Sequence, residues 1–261
     1  MRPEYNPGAF VRIKPQSSSS MTQQRRPVVV VIVLALFFLA GLVTVLLGGQ
    51  SAGGSEGTPR AGSTETILIL GVDNLAAAQP RLVAVWLATF SPEQRDVILF
   101  GQPIDGLVCG SSPTTLQELF VWQPQIGPNS AFLASFGAAE PDGVVVADEA
   151  AFTTLIDELH GLDLNGAELD GNQVVAVLRS LYQNPAGLLT SQEQFLISLA
   201  QRAAQPAGQV DLTRLTELIP EHAYTSVPPQ DLITLYLRLL PLGPASILVF
   251  APQNQAVACP N

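Results

Sequence analysis

The chain has 261 residues, enough for one large domain or two small ones, and 47% of them are hydrophobic, rich for a fold wholly bathed in water. Five of its 12 basic residues, Arg2, Arg12, Lys14, Arg25 and Arg26, lie before residue 28, whereas every acid except Glu4 lies after it. That acidic remainder, which has no lysine, argues against nucleic acid as a partner, because a polyanion needs clustered Lys or Arg to offset its phosphates.

Residues 1–27, with the serine run Ser17 to Ser20 and few apolar side chains to bury, read as a disordered cytoplasmic tail. Residues 28–47, VVVVIVLALFFLAGLVTVLL, carry no charge, and twenty helical residues at about 1.5 Å each span a hydrocarbon core of about 30 Å. They predict one transmembrane helix. A cleaved signal peptide is the competing reading, with GQSAGG (Gly49 to Gly54) as its cleavage site, although such apolar cores run to about 7–15 residues. The basic residues ahead of the helix keep the N-terminus in the cytoplasm and put the rest outside, as a single-pass protein of the plasma membrane. Residues 48–63, rich in Gly, Ser and Thr, form a flexible linker, and an extracytoplasmic domain follows over 64–261.

Within that domain, short β-branched or apolar runs bounded by turn residues predict strands at 66–70 (TILIL), 82–90 (LVAVWLATF), 97–100 (VILF), 143–146 (GVVV) and 246–250 (SILVF). Helical spacing covers 149–159, 171–181, 191–204, 212–219 and 230–240. Interleaved in this way, the elements predict an α/β class: an α/β/α layered domain with a central mixed sheet. Cys109 and Cys259 are the only cysteines, and their spacing leaves a disulfide between them open.

Most familiar catalytic motifs are absent. No P-loop, dinucleotide-binding glycine fingerprint, nucleophile elbow or paired-histidine metal helix occurs. The two histidines, His160 and His222, lack a triad's neighbours and fit surface or capping roles. In α/β folds ligands gather at the carboxyl ends of strands, which singles out Asp73 after TILIL and Asp105 after VILF. Two such carboxylates suit Mg²⁺, a cation that takes oxygen ligands together with substrate phosphate.

Four stretches, taken in order, resemble the LytR-CpsA-Psr family of membrane-anchored proteins that attach glycopolymers to the bacterial cell wall. ILILGVDN (Ile67 to Asn74) resembles its first strand and Gly-x-Asp turn; RLVAVWLATFSPEQRDVILFGQPID (Arg81 to Asp105) its Arg-x-Asp, strand, turn, strand and Pro-Arg-Asp segment. DGVVVADEAAFTTLIDELHGLDLN (Asp142 to Asn165) and LDGNQVVAVLRSL (Leu169 to Leu181) resemble the strand, helix and arginine-bearing helix that follow. The resemblance implies transfer of a glycopolymer from a polyprenyl pyrophosphate carrier to peptidoglycan. In that chemistry carboxylates with Mg²⁺ neutralise the pyrophosphate, arginines clamp it, and an apolar pocket holds the lipid. Carried over, it gives Asp73, Arg81, Asp105 and Arg179 as catalytic residues, with Asp73 and Asp105 as the metal ligands.

Other family positions differ. Val83 stands where the family has the Asp of Arg-x-Asp, Ile104 where it has the Arg of Pro-Arg-Asp, and Leu181 where it has a second arginine. NPAGLLTSQEQF (Asn184 to Phe195) lacks the downstream Asp and Arg, and the polar loop before the arginine-bearing helix is shortened to GAE, Gly166 to Glu168. Each lost charge-assisted contact is worth about 3 kcal/mol in such a transition state. The expectation is therefore an envelope protein whose site is degenerate, its phosphotransferase activity weakened or lost, and which still binds a lipid or wall component. The alternatives are an active divergent phosphotransferase with Mg²⁺, and a non-catalytic envelope scaffold.

Overall fold

The computed structural model describes residues 64–91, 93, 96–108, 114–137, 141–164, 166–203, 221–228, 231, 234–235 and 246–251. The tail, apolar span and linker read from the sequence lie outside this set, as do Cys109, Cys259, the helix expected at 212–219 and most of that expected at 230–240. No helix among the described residues is long and apolar enough to cross a membrane.

Six strands form one mixed sheet: β1 (Glu65–Val72), β2 (Leu82–Ser91), β3 (Asp96–Gly101), β4 (Gly143–Asp148), β5 (Ala223–Thr225) and β6 (Ile247–Phe250), in the order β5-β4-β1-β2-β3-β6. β1, β2 and β3 make an antiparallel meander; β4 lies parallel to β1, β6 parallel to β3, and β5 antiparallel to β4. The mixed sheet expected from the interleaved pattern is present. β5 is an addition, since AYT is too short to carry a period.

Side chains alternate across the pleat, so the sheet has two apolar faces. Ile67, Trp86, Ala88, Phe90, Val97, Leu99 and Val145 point to one, which is covered by Leu189 and Leu196 of a long helix. Leu68, Leu70, Val85, Val144 and Val146 point to the other, covered by Leu116, Phe120 and Phe132 from short helical turns at Leu116–Leu119 and Ser130–Ala134. Phe132 is fully buried, with Phe120 and Phe136 edge-on at 5.3 and 5.4 Å, the T-shaped geometry that aromatic pairs favour.

Three longer helices lie on the first face: α1 (Glu149–Glu158), α2 (Gly171–Ser180) and α3 (Pro185–Ala203). Each starts at a side-chain acceptor for the unpaired N–H groups of its first turn. Asp148 takes the amides of Ala150 and Ala151, Asp170 forms a capping box with Gln173, and Asn184 Oδ1 accepts from Gly187. Proline at the first position of α3 fits the same logic, and the helix starts six residues before the expected 191. α1 ends on His160 and Gly161, both with positive φ (60° and 87°), where the Gly161 amide returns to the Ile156 carbonyl. His160 is exposed at this reversal, a surface position. The chain then makes a tight hairpin, Leu162–Leu164 with Ala167–Leu169, turning at Gly166 (φ 82°).

Candidate functional site

Along the first sheet face, the register sets Gly71 opposite Ala84 on β2 and beside Ala147 on β4. Three small residues in a row leave a depression. A β-carbon at Gly71 would stand 2.9 Å from the Ala84 β-carbon, so the strands themselves have no room for a larger side chain there. α1, α2 and α3 roof the depression with Phe152, Leu155, Val175, Leu178, Phe195 and Leu199, leaving an apolar cavity of about 120 Å³. An engineered cavity of about 150 Å³ with a similar lining stays dry and takes a benzene ring.

Four residues with polar side chains are among those that line the cavity: Asp148, Glu149, Tyr182 and Gln192. Gln192 is buried on α3, donates to the Val83 carbonyl at 2.7 Å and accepts from Trp86 Nε1 at 3.3 Å. The ladder explains the first bond. β1 pairs Gly71 with Ala84 but Val72 with Leu82, so Val83 is the extra residue of a β-bulge, and such a residue loses its ladder partner.

The remaining groups gather where β1 and β4 end. Asp73 Oδ1 accepts from the amides of Asn74 (2.7 Å) and Arg81 (2.8 Å), and the Asp73 amide donates to the Arg81 carbonyl, closing the loop between β1 and β2. The Arg81 guanidinium lies 5.1 Å from the centre of the Tyr182 ring, and its Nη2 donates to the Tyr182 carbonyl at 3.1 Å. Its Nε is buried without a partner. From α2, Arg179 Nε donates to Glu149 Oε2 at 2.9 Å, with Nη2 on the same oxygen, and the Tyr182 hydroxyl donates to Glu149 Oε1. Arg81 and Arg179 are thus brought to one mouth, joined through Tyr182 and Glu149.

The hydrogen bond and charge of Glu149 hold the Arg179 guanidinium above its ordinary value, with smaller contributions from Tyr182 and Asp73. Burial pushes the Tyr182 phenol well above the usual tyrosine value; Glu149 and Asp73 act in the same direction and Arg179 against it. A tyrosine raised by folding stabilises the native state fully below the unfolded value of about 10 and loses that contribution as pH rises above it. Tyr182→Phe is expected to flatten the alkaline limb of a plot of unfolding midpoint against pH. An unchanged limb would mean that the phenol titrates alike in both states.

Asp105 stands apart. It is exposed in the turn closed by the Gly106 amide on the Pro103 carbonyl, and makes no side-chain hydrogen bond or ion pair among the described residues. Its neighbour Ile104, 4% exposed, goes instead into the second apolar face with Leu116 and Phe120. Asp73 follows β1 and Asp105 follows β3, with β2 between them, and strands two apart are separated by about 10 Å. Among the described residues no three His, Cys, Asp or Glu side chains group at metal-ligand spacing. Asp73, whose Oδ2 accepts no hydrogen bond there, could hold Mg²⁺ together with a substrate phosphate, the usual arrangement for that ion; Asp105 makes no contact with it.

The sequence reading passed over Glu149, Tyr182 and Gln192. The first looks like an ordinary acid in a first helical turn, and no motif spacing marks Tyr182 or Gln192. His222 has the kind of capping part its surroundings in the sequence suggest. His222 Nδ1 donates to Asp148 Oδ2 at 3.0 Å, extending the cap of α1 to the start of β5.

No protein-family model matches the chain, and no curated protein does. Solved structures do. The LytR-Csp2A-Psr enzyme from Actinomyces oris is 20% identical with a TM-score of 0.55, over 74% of this chain and 84% of that one. TagV of Bacillus subtilis is 16% identical with a TM-score of 0.54, over 73% and 84%. The transcriptional regulator yvhJ, also of Bacillus subtilis, is 18% identical with a TM-score of 0.54, over 73% and 82%. The chain has the fold of these LytR-CpsA-Psr proteins.

Proposed function

We propose that this chain is a divergent LytR-CpsA-Psr protein of the cell envelope, anchored by residues 28–47, which binds a lipid or a lipid-linked wall component in its apolar cavity and has weakened or lost the family's phosphotransferase chemistry. The observation that carries the reading is the cavity itself: an apolar void under three helices, opening beside Arg81, Arg179, Glu149 and Tyr182. Ligand sites have this form, a mostly apolar concavity with a few polar groups at one end. One of the structures with this fold is TagT bound to LIIa-WTA, at 16% identity and a TM-score of 0.52, which supports a glycopolymer-bearing partner.

What supports the reading of weakened chemistry is where the family's remaining positions fall. Val83 gives its backbone to Gln192, Ile104 packs into the core, and Asp105 faces solvent. A transferase needs its charge-stabilising groups aimed together at the reacting phosphate, and here two arginines converge, each already engaged by protein groups. Their convergence with Asp73 is also the one observation that favours a divergent active enzyme with Mg²⁺.

Two measurements on the full-length chain separate the readings. Mass spectrometry of protein taken from native membranes is expected to find a co-purifying isoprenoid or other long-chain lipid; a clean extract favours the scaffold. An assay for polymer transfer or polyprenyl phosphate release with Mg²⁺ is expected to show no turnover. Turnover that Asp105→Ala abolishes would overturn the degenerate-site reading.

A further inference from the structure

Glu149 occupies the place at the cavity mouth where a bound anion would otherwise sit. Its side chain is 12% exposed, and both carboxylate oxygens are taken, one by Arg179 and one by the Tyr182 hydroxyl. Arg81, the other cation there, is stacked on Tyr182 and bonded to its carbonyl. Two carboxylates, Asp73 and Glu149, therefore lie with two guanidinium groups that protein groups already engage, while Asp148 is held by His222 and the first amides of α1.

A phosphate or pyrophosphate at the end of a chain lodged in the cavity and drawn to Arg179 sits next to the mostly enclosed Glu149 carboxylate, which already holds Nε and Nη2 of that guanidinium. Like charges about 4 Å apart near a protein surface repel strongly enough to weaken binding by about a hundredfold or more. An uncharged head meets no such penalty, because the Glu149–Arg179–Tyr182 network stays intact while the chain gains the apolar lining.

We infer that Glu149 is a specificity-determining residue, an internal counter-ion that makes the cavity select an isoprenoid or similar branched chain with an uncharged hydroxyl head over its phosphorylated form. This rests on the cavity being the ligand site, as proposed above. The volume suits the first one or two branched five-carbon units, by comparison with the ring-sized occupant of an engineered cavity.

Trp86 lines the cavity and Trp122 does not, so Trp122→Phe in the full-length chain leaves one tryptophan whose emission reports occupancy. The probes are geraniol and geranyl phosphate. Geraniol is expected to shift Trp86 emission with a dissociation constant at least about tenfold below that of geranyl phosphate, and Glu149→Gln to bring the two within about threefold by tightening the phosphate. Equal or tighter phosphate binding without the Glu149 substitution, or a ratio that Glu149→Gln leaves unchanged, overturns the inference alone. If neither probe moves Trp86, the cavity reading falls and this inference with it.

Discussion

Asp148→Ala is expected to destabilise the domain by about 3 kcal/mol, the sum of a lost helix cap and at least one orphaned buried donor, discounted for non-additivity. Few side chains here hold so much. Asp148 is 3% exposed; Oδ1 accepts from the amides of Ala150 and Ala151, and Oδ2 from the Leu75 amide at 3.3 Å and His222 Nδ1 at 3.0 Å. One carboxylate thus ties together the start of α1, the loop after β1 and the residue before β5. The same loop carries Asp73 and Arg81, so the substitution should loosen the mouth as well as the fold. Urea unfolding of the full-length chain would measure the loss. Asp148→Asn keeps an acceptor for the helix amides and should cost about half as much, since the NH2 that replaces Oδ2 can accept from neither Leu75 nor His222. A loss below about 1 kcal/mol for alanine would show that water replaces these bonds freely.

The strands of the meander and the helices α1 and α2 were legible because each has its own local signal: an apolar run between turns, or a helical period behind Asp148 or Asp170. α3 begins ahead of its helical period, at a point that Asn184 as cap and Pro185 at the first position mark plainly. The hairpin at 162–169 was missed although Asn165-Gly166 between LDL and AEL is a strong two-residue turn signal.

The site was legible only in part, for a physical reason. Asp73, Arg81 and Arg179 lie beside elements with clear periods, so their approach to one mouth follows from the fold. Glu149 and Tyr182 acquire meaning only through each other, from different elements, and no spacing along the chain encodes that meeting. Val83 and Ile104 stood out in the sequence as lost charges. Their structural roles, a bulge whose carbonyl Gln192 satisfies and a buried side chain on the far sheet face, depend on pairing register and on which way one turn rotates. One such rotation also sends Asp105 to solvent.

If the void under α1, α2 and α3 is the ligand site, filling it should abolish binding while leaving the fold intact. Ala84→Leu is the substitution to make. Ala84 lies on the cavity floor in the middle of the sheet, next to Gly71, and points toward the roof formed by the helices. A leucine there adds three carbons facing a space of about 120 Å³. Filling a cavity commonly raises stability by about 0.5–2 kcal/mol, whereas forcing atoms into a packed core costs about 1–3, so the sign of the change in unfolding midpoint reports whether the space is empty. The expected result is an unchanged or raised midpoint with geraniol affinity, measured by calorimetry, weakened more than about thirtyfold, since the apolar surface that the chain would bury is already covered. Ala147→Leu, from β4 on the other side of Gly71 along the same floor, should act in the same way and guards against a local misfit at one position. Full binding in both variants, with the fold intact, would place the ligand outside the cavity. The charges at the mouth, Glu149 among them, would then serve only to fasten α1 to α2.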